Sequence, residues 1–274
     1  MTRASLDRSF DWTRQRLRHD GGLLLTVALA LIGAPAMLLQ VLLALAPMRP
    51  MPFLGQTVDQ IHLTSGQWIA FAALLAALVL GGLTITRMLM TPGETVRASL
   101  DRAGRRLPAL LGAQVIATVV VTIALILIAA LAIAGGHLSA VLGALLLLLA
   151  LAFIIVVAAR LSVMAPAAVE GGGPLAVLGR TVKRGQGHTL ALVLLMLVTL
   201  VVTLIVVTAA QALFGIPVAL VGGGTAGKIA GGAAAGLVYA VAALVTAMLL
   251  VGLYRQFDSG AVGSGVDEGD VPGD

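Results

Sequence analysis

The sequence predicts an all-α polytopic membrane protein with six transmembrane helices, and three observations lead there. Six apolar runs, at residues 21–46, 67–85, 110–134, 138–159, 190–214 and 229–253, each approach or exceed the ~20 residues a helix needs to cross a bilayer. The composition is 59% hydrophobic and 11% charged, against roughly 25% charged in an average soluble domain. The basic residues also alternate from one connection to the next.

Arg3, Arg8, Arg14, Arg16 and Arg18 precede the first run, and Arg87, Arg97, Arg102, Arg105 and Arg106 lie between the second and third. Arg160, Arg180, Lys183 and Arg184 lie between the fourth and fifth, and Arg255 follows the sixth. The other connections hold Arg49 and Lys228 out of a total of 17 Lys and Arg. The positive-inside rule then puts both termini and the basic connections in the cytoplasm.

Residues 1–257 read as one membrane domain with no room for a separate soluble module. Residues 258–274 mix Gly, Ser and Pro with Asp267, Glu268, Asp270 and Asp274, the composition of a disordered acidic cytoplasmic tail. There is no cysteine, so disulfides and thiolate metal sites are excluded. With 4% aromatics there is no interleaving of basic and stacking residues, so the positive charge points to anionic lipid headgroups and not to nucleic acid.

The first run ends in Ala44-Leu45-Ala46, which has the form of a signal-cleavage site. The run is longer than the roughly 7–15 residues of a signal core and Pro47 follows at once, so it reads as a retained span, kinked at Pro35. Before it, Leu6, Phe10, Thr13 and Leu17 share one helical stripe; before the third run Val96, Leu100, Ala103 and Leu107 do the same. These segments predict amphipathic basic helices lying flat on the inner leaflet, with Trp12 suited to the headgroup layer. The order Thr91-Pro92-Gly93-Glu94 reads as the capping box that starts the second, and Pro174 starts a third.

The hexapeptide Arg-Ala-Ser-Leu-Asp-Arg occurs at 3–8 and again at 97–102. A second register matches Ser9, Asp11, Arg16 and Leu17 to Ser99, Asp101, Arg106 and Leu107, and Leu178, Arg180, Lys183 and Arg184 echo Leu100, Arg102, Arg105 and Arg106. Three repeats of a basic helix followed by a two-helix hairpin account for this pattern.

Candidate chemistry is sparse. Residues 222–228 have the outline of a phosphate-binding loop, but Ile229 stands where a Ser or Thr should hold magnesium and no strand precedes it. The glycines there suit packing instead, as do Gly232, Gly236, Ala240, Ala243 and Ala247 on one face of the sixth run. No run contains a carboxylate, which argues against proton or sodium coupling. Gln40, Gln114 and Gln211, with Thr118, Thr122, Thr199 and Thr203, are the polar residues in or near spans. His19, His62, His137 and His188 have no ligand spacing, and no serine stands in a nucleophile motif. The expectation is a non-enzymatic protein with no cofactor or metal.

The densest segment runs from Arg160 to His188: an arginine ending a span, Pro166 six residues on, Glu170, then a basic helix with Arg180 and Lys183 that ends in Arg184-Gly185. This pattern resembles the YciC-like inner-membrane proteins and the related membrane domain fused to some bacterial glycerophosphodiester phosphodiesterases. The resemblance implies a six-span fold in a bacterial inner membrane. It implies no activity, because the phosphodiesterase chemistry belongs to a separate soluble domain.

Arg160, Glu170, Arg180, Lys183 and Arg184, with Arg102, Arg105 and Arg106, are therefore the candidate contacts for anionic lipid or a partner. Pro166 is expected to turn the chain so that Arg160 and Glu170 pair. The functional expectation is a scaffold, lipid-organising protein or accessory subunit, in contact with a membrane-protein partner or a second copy. The alternative is a small transporter or flippase-like component. The charge alternation generates a topology test: reporter fusions after Arg106 are expected to report the cytoplasm, and fusions near Thr57 the opposite side. Reversed signals would sink the orientation.

Overall fold

The computed structural model describes residues 6–46, 48–53, 56–61, 63–186 and 188–262. Its elements in chain order are α1 (Leu6–Ala28), a π-helical turn (Leu29–Gly33), α2 (Ala34–Leu45), β1 (Met48–Phe53), β2 (Gln56–Ile61), α3 (Ser65–Met90), α4 (Val96–Leu138), α5 (Ala140–Leu161), α6 (Met164–Val169), α7 (Pro174–Gly185) and α8 (Thr189–Val262). Five helical stretches are long and apolar enough to cross a membrane: Arg8–Leu45, Ser65–Met90, Val96–Gly135, Ala140–Val169 and Thr189–Phe257. In the fourth, 6% of the most apolar 18-residue window is buried by protein, so nearly all of it is left for lipid. The chain is a helical, multi-pass membrane protein.

The fifth stretch contains two of the six apolar runs. Gly223 breaks it, with φ 85° and ψ 168°, a conformation that favours glycine. Beyond the break the chain doubles back. A Cβ on Gly227 would stand 2.6 Å from the Gly215 carbonyl oxygen, and one on Gly231 would stand 3.1 Å from that of Gln211. The two arms thus meet in antiparallel order through glycines, which let backbones approach closely.

The described residues form two compact units. One takes the described residues of Arg16–Ala103 and Val198–Ala247, the other those of Met1–Gln15, Gly104–Leu197 and Met248–Asp274.

In the first unit α2 packs on α3 and on the second arm of α8. Pro35 has no N–H for the Leu31 carbonyl, and the turn just before it widens into the π-helical segment. The Leu31 carbonyl oxygen lies against Gly81, where a Cβ would be 2.5 Å away. On α8, Gly232 faces Gln40, Gly236 faces Met37 and Ala240 faces Gly33. The small stripe therefore packs as expected for its first three members. It continues through buried Leu244 and Met248, one turn apart, while Ala243 and Ala247 are half-buried.

The other unit joins α1 to the end of α8. Ser9 is fully buried and accepts a hydrogen bond from Gln256 Nε2 at 2.8 Å, and a Cβ on Gly252 would stand 3.3 Å from the Trp12 ring. Trp12 is half-buried, with the Arg255 guanidinium 5.3 Å from its ring.

Several expectations change. The first two basic segments are not separate flat helices. Residues 8–45 form one stretch, and α4 runs from Val96 through Pro108 to Leu138, because a proline inside a helix bends it without ending it here. Only α7 stands apart, set off by Gly173 and Gln186.

Of the α1 stripe, Phe10 and Leu17 are 49% and 47% exposed, as a lipid-facing stripe requires, while Thr13 is 8% exposed and joins Ser9, 0% exposed, on the buried face. In a lipid surround the small residue goes to the helix contact and the large apolar one outward. The α4 pattern agrees, with Ser99 and Ala103 buried.

Thr91 caps the end of α3, not the start of α4. Gly93 at φ 86° after Pro92 makes a turn, and Thr95 caps α4 by accepting from the Ala98 N–H at 3.3 Å. The first connection holds an antiparallel hairpin that the sequence pattern did not suggest, pairing Pro50 with Asp59 and Pro52 with Thr57. Prolines two apart lie on one edge of a ribbon, where no N–H is required. The expected tail begins later than residue 258, since α8 continues to Val262; residues 263–274 lie outside the described residues.

Gly236 generates a stability test, because a Cβ there would stand 2.5 Å from the Met37 backbone nitrogen. Gly236→Leu is expected to destabilise the protein by about 1–3 kcal/mol through overpacking. Gly104→Leu, where a Cβ meets nothing within 4 Å, should be far milder. Thermal unfolding in detergent compares them; equal shifts would reject the close approach.

Candidate functional site

The segment after α5 is built to gather arginines. Arg160 lies in the last turn of α5, which Ser162 closes by donating to the Ala159 carbonyl at 2.6 Å. The short α6 buries Met164, Pro166, Ala167 and Ala168 and ends on Glu170. Gly171 and Gly172 then adopt φ 108° and 89°, and Pro174 opens α7 at a position where its missing N–H costs nothing. Val177, Thr181 and Gly185, four apart, form the buried face of α7. That register leaves Arg180 and Arg184 at the margin and Lys183 exposed.

Glu170 receives two of these arginines. Arg184 Nη1 pairs with one carboxylate oxygen and Arg180 Nη1 lies 3.5 Å from the other. Arg180 also donates to the Ala167 carbonyl at 2.9 Å and to the Gly171 carbonyl, satisfying groups that the end of α6 leaves open. The backbone conformation of Gly172, φ 89°, favours glycine, and a Cβ there would stand 2.6 Å from Arg180 Nη2 and displace that guanidinium. Arg184 lies over the Tyr254 ring at 4.6 Å, a cation–π contact.

Arg160 does not pair with Glu170. It donates from Nε and Nη2 to Thr189 Oγ1, at 3.2 and 3.1 Å, and its stem passes Gly185. The reason is α7: it supplies two guanidinium groups to Glu170 and presents a glycine face to Arg160.

Arg106 of α4 completes the group. Its Nη2 lies 3.0 Å from where a Cβ on Gly171 would be, and it has no hydrogen-bond or ion-pair partner among the described residues. Two guanidinium groups thus hold the Glu170 carboxylate while Arg106 lies beside the adjacent Gly171, leaving a positive excess able to take an anion.

Of the other expected contacts, Arg105 is exposed, and Arg102 belongs to a different cluster. There Glu94, 7% exposed, is held by Arg87 Nε at 3.0 Å and Arg102 Nη1 at 2.8 Å. Both clusters set a glutamate next to a positive-φ glycine in the turn and pair it with an arginine of the following basic helix; only Glu94 also takes the arginine that ends the preceding span. Sequence reasoning missed Glu94, treating it as a capping residue; its place between Arg87 and Arg102 was the available signal.

Two of the polar residues within spans also converge. Gln40 and Gln211 line a cavity of about 580 Å³ together with Lys228. Gln211 and Lys228 are themselves exposed and Gln40 half-buried; Gln114, Thr118 and Thr122 are exposed on α4 away from this cavity lining.

The two glutamates generate a comparison. Glu94→Gln leaves Arg87 uncompensated where both side chains are mostly buried, and is expected to cost about 3–5 kcal/mol. Glu170 is 23% exposed and its arginines 28% and 25%, so Glu170→Gln should cost about 1–3 kcal/mol. Thermal unfolding beside Lys183→Gln reads both; a Glu94→Gln shift no larger than that control would contradict the buried pair.

No family model matches this chain, and no curated protein or solved structure is detectably similar to it.

Proposed function

We propose that this protein is a non-enzymatic integral membrane protein of a bacterial inner membrane, with cytoplasmic termini, that organises anionic lipid as a scaffold or accessory subunit. One observation carries the reading: Arg180 and Arg184 share the Glu170 carboxylate, and Arg106, beside the adjacent Gly171, has no partner among the described residues. Arginine suits phosphate because its planar guanidinium offers paired donors. A basic cluster beside a span is where anionic headgroups are available. The pattern of residues 160–188 supports placing the chain with the YciC-like proteins as part of the same proposal.

A second reading, a small transporter or flippase-like component, is favoured by the cavity at Gln40 and Gln211.

Adding phosphatidylglycerol to the purified chain in neutral detergent is expected to raise its unfolding temperature more than adding phosphatidylcholine. Arg106→Gln should remove most of that difference, and Glu170→Gln should enlarge the anionic preference of the surviving arginines. Equal stabilisation by both lipids would overturn the proposal.

A further inference from the structure

We infer that the cavity beside Gln40, Gln211 and Lys228 binds an anionic amphiphile, its phosphate or carboxylate head on Lys228 and its hydrocarbon along the apolar wall. The site is separate from the arginine cluster and does not depend on the role proposed for it.

The cavity is made by the end of α2, with Gln40, Leu43 and Ala44, and by the two antiparallel arms of α8 around Gly223. Its volume of about 580 Å³ lies within the range of small-molecule sites, roughly 300–1,000 Å³. Glycines fix its polar wall. A Cβ on Gly231 would stand 3.1 Å from the Gln211 carbonyl oxygen, and one on Gly232 would stand 3.2 Å from Gln40 Cβ. Two adjacent glycines thus hold the backbones bearing both glutamines close to the second arm, so the amides are set by packed helices.

Gln40, Gln211 and Lys228 have no hydrogen-bond or ion-pair partner among the described residues. An amide carries two donors and an acceptor, and leaving them unmatched beside hydrocarbon is costly. Gln40 is half-buried and Gln211 and Lys228 are exposed, so these three unmatched groups on one cavity are open to a polar ligand atom or to water.

The sign of the ligand follows from Lys228, the charged residue of the lining. An ammonium on the rim rejects a cation and favours an anion, with the glutamine N–H groups completing its hydrogen bonds. The rest of the wall, including Leu43, Ile216 and Ala219, is apolar. A small free anion would leave that wall uncovered, whereas a chain attached to the head covers it.

The test titrates dodecyl phosphate into the full chain in nanodiscs of neutral lipid, reading adducts by native mass spectrometry. One saturable adduct is expected. Lys228→Gln should raise the half-saturating concentration about tenfold, the size of one charge-assisted contact. Gln211→Leu should raise it several-fold without altering thermal unfolding, and Arg106→Gln should leave it unchanged. Dodecyltrimethylammonium and inorganic phosphate should give no saturable adduct. Unchanged binding in Lys228→Gln would overturn the inference. So would inorganic phosphate binding as well as its dodecyl ester, which would mean a free-anion site, or a loss on Arg106→Gln, which would move the binding to the arginines.

Discussion

Between apolar helices in a bilayer no hydrophobic force draws one to the next, since the lipid tails are as apolar as leucine. What remains is close contact, and several of this fold's closest helix approaches are made at glycines. Gly81 admits the Leu31 carbonyl, Gly236 admits the Met37 backbone, and Gly227 admits Gly215. Dispersion falls steeply with distance, so backbone approach of this kind gathers many contacts that a leucine at the same place would hold apart. Beside a buried set that includes Leu83, Ile85 and Leu89, many large apolar residues face outward. Leu190 and Leu220 are 72% and 82% exposed to whatever surrounds the chain, and only hydrocarbon makes that exposure cheap.

The same constraint explains where the charges lie. A guanidinium is expensive away from water, so the arginines collect where an apolar helix ends and a basic one begins. There a positive-φ glycine turns the chain and a glutamate is brought between helices, at Gly93 and Glu94 and again at Gly171 and Glu170. The two clusters differ in balance. Glu94 is nearly buried between Arg87, which ends the preceding span, and Arg102 of the next helix. Glu170 is taken by the next helix, Arg160 is diverted to Thr189, and Arg106 arrives from α4 as surplus. Surplus positive charge beside a membrane surface is the property on which the proposed lipid site rests.

Much of this was legible in the residues themselves. Apolar length located every span, and the four-residue spacing of Gly232, Gly236 and Ala240 located the contact face of the sixth. Phe10 and Leu17, 49% and 47% exposed, agree with an apolar stripe turned to lipid; what that stripe did not show is the opposite face, where Ser9 and Thr13 are buried. The two registers of the Ser-Leu-Asp repeat stay ambiguous. They differ by four residues, about one helical turn, so both put small residues on the same side. The hairpin at residues 48–61 lies in a connection with prolines at positions 50 and 52, which depress any strand signal.

The glycines around residue 223 connect packing to the cavity. A hairpin of two long helices needs small residues near its turn for the arms to close, and that requirement alone explains Gly215, Gly227 and Gly231. It does not explain Gln211 one turn before Gly215, or Lys228 in the turn region facing the same space. Alanine or leucine at position 211 would serve an apolar arm better, because a glutamine there brings an amide to be satisfied and contributes no closer approach. Where packing accounts for the small residues and leaves the polar ones unaccounted for, the polar ones are the better guide to what the cavity holds.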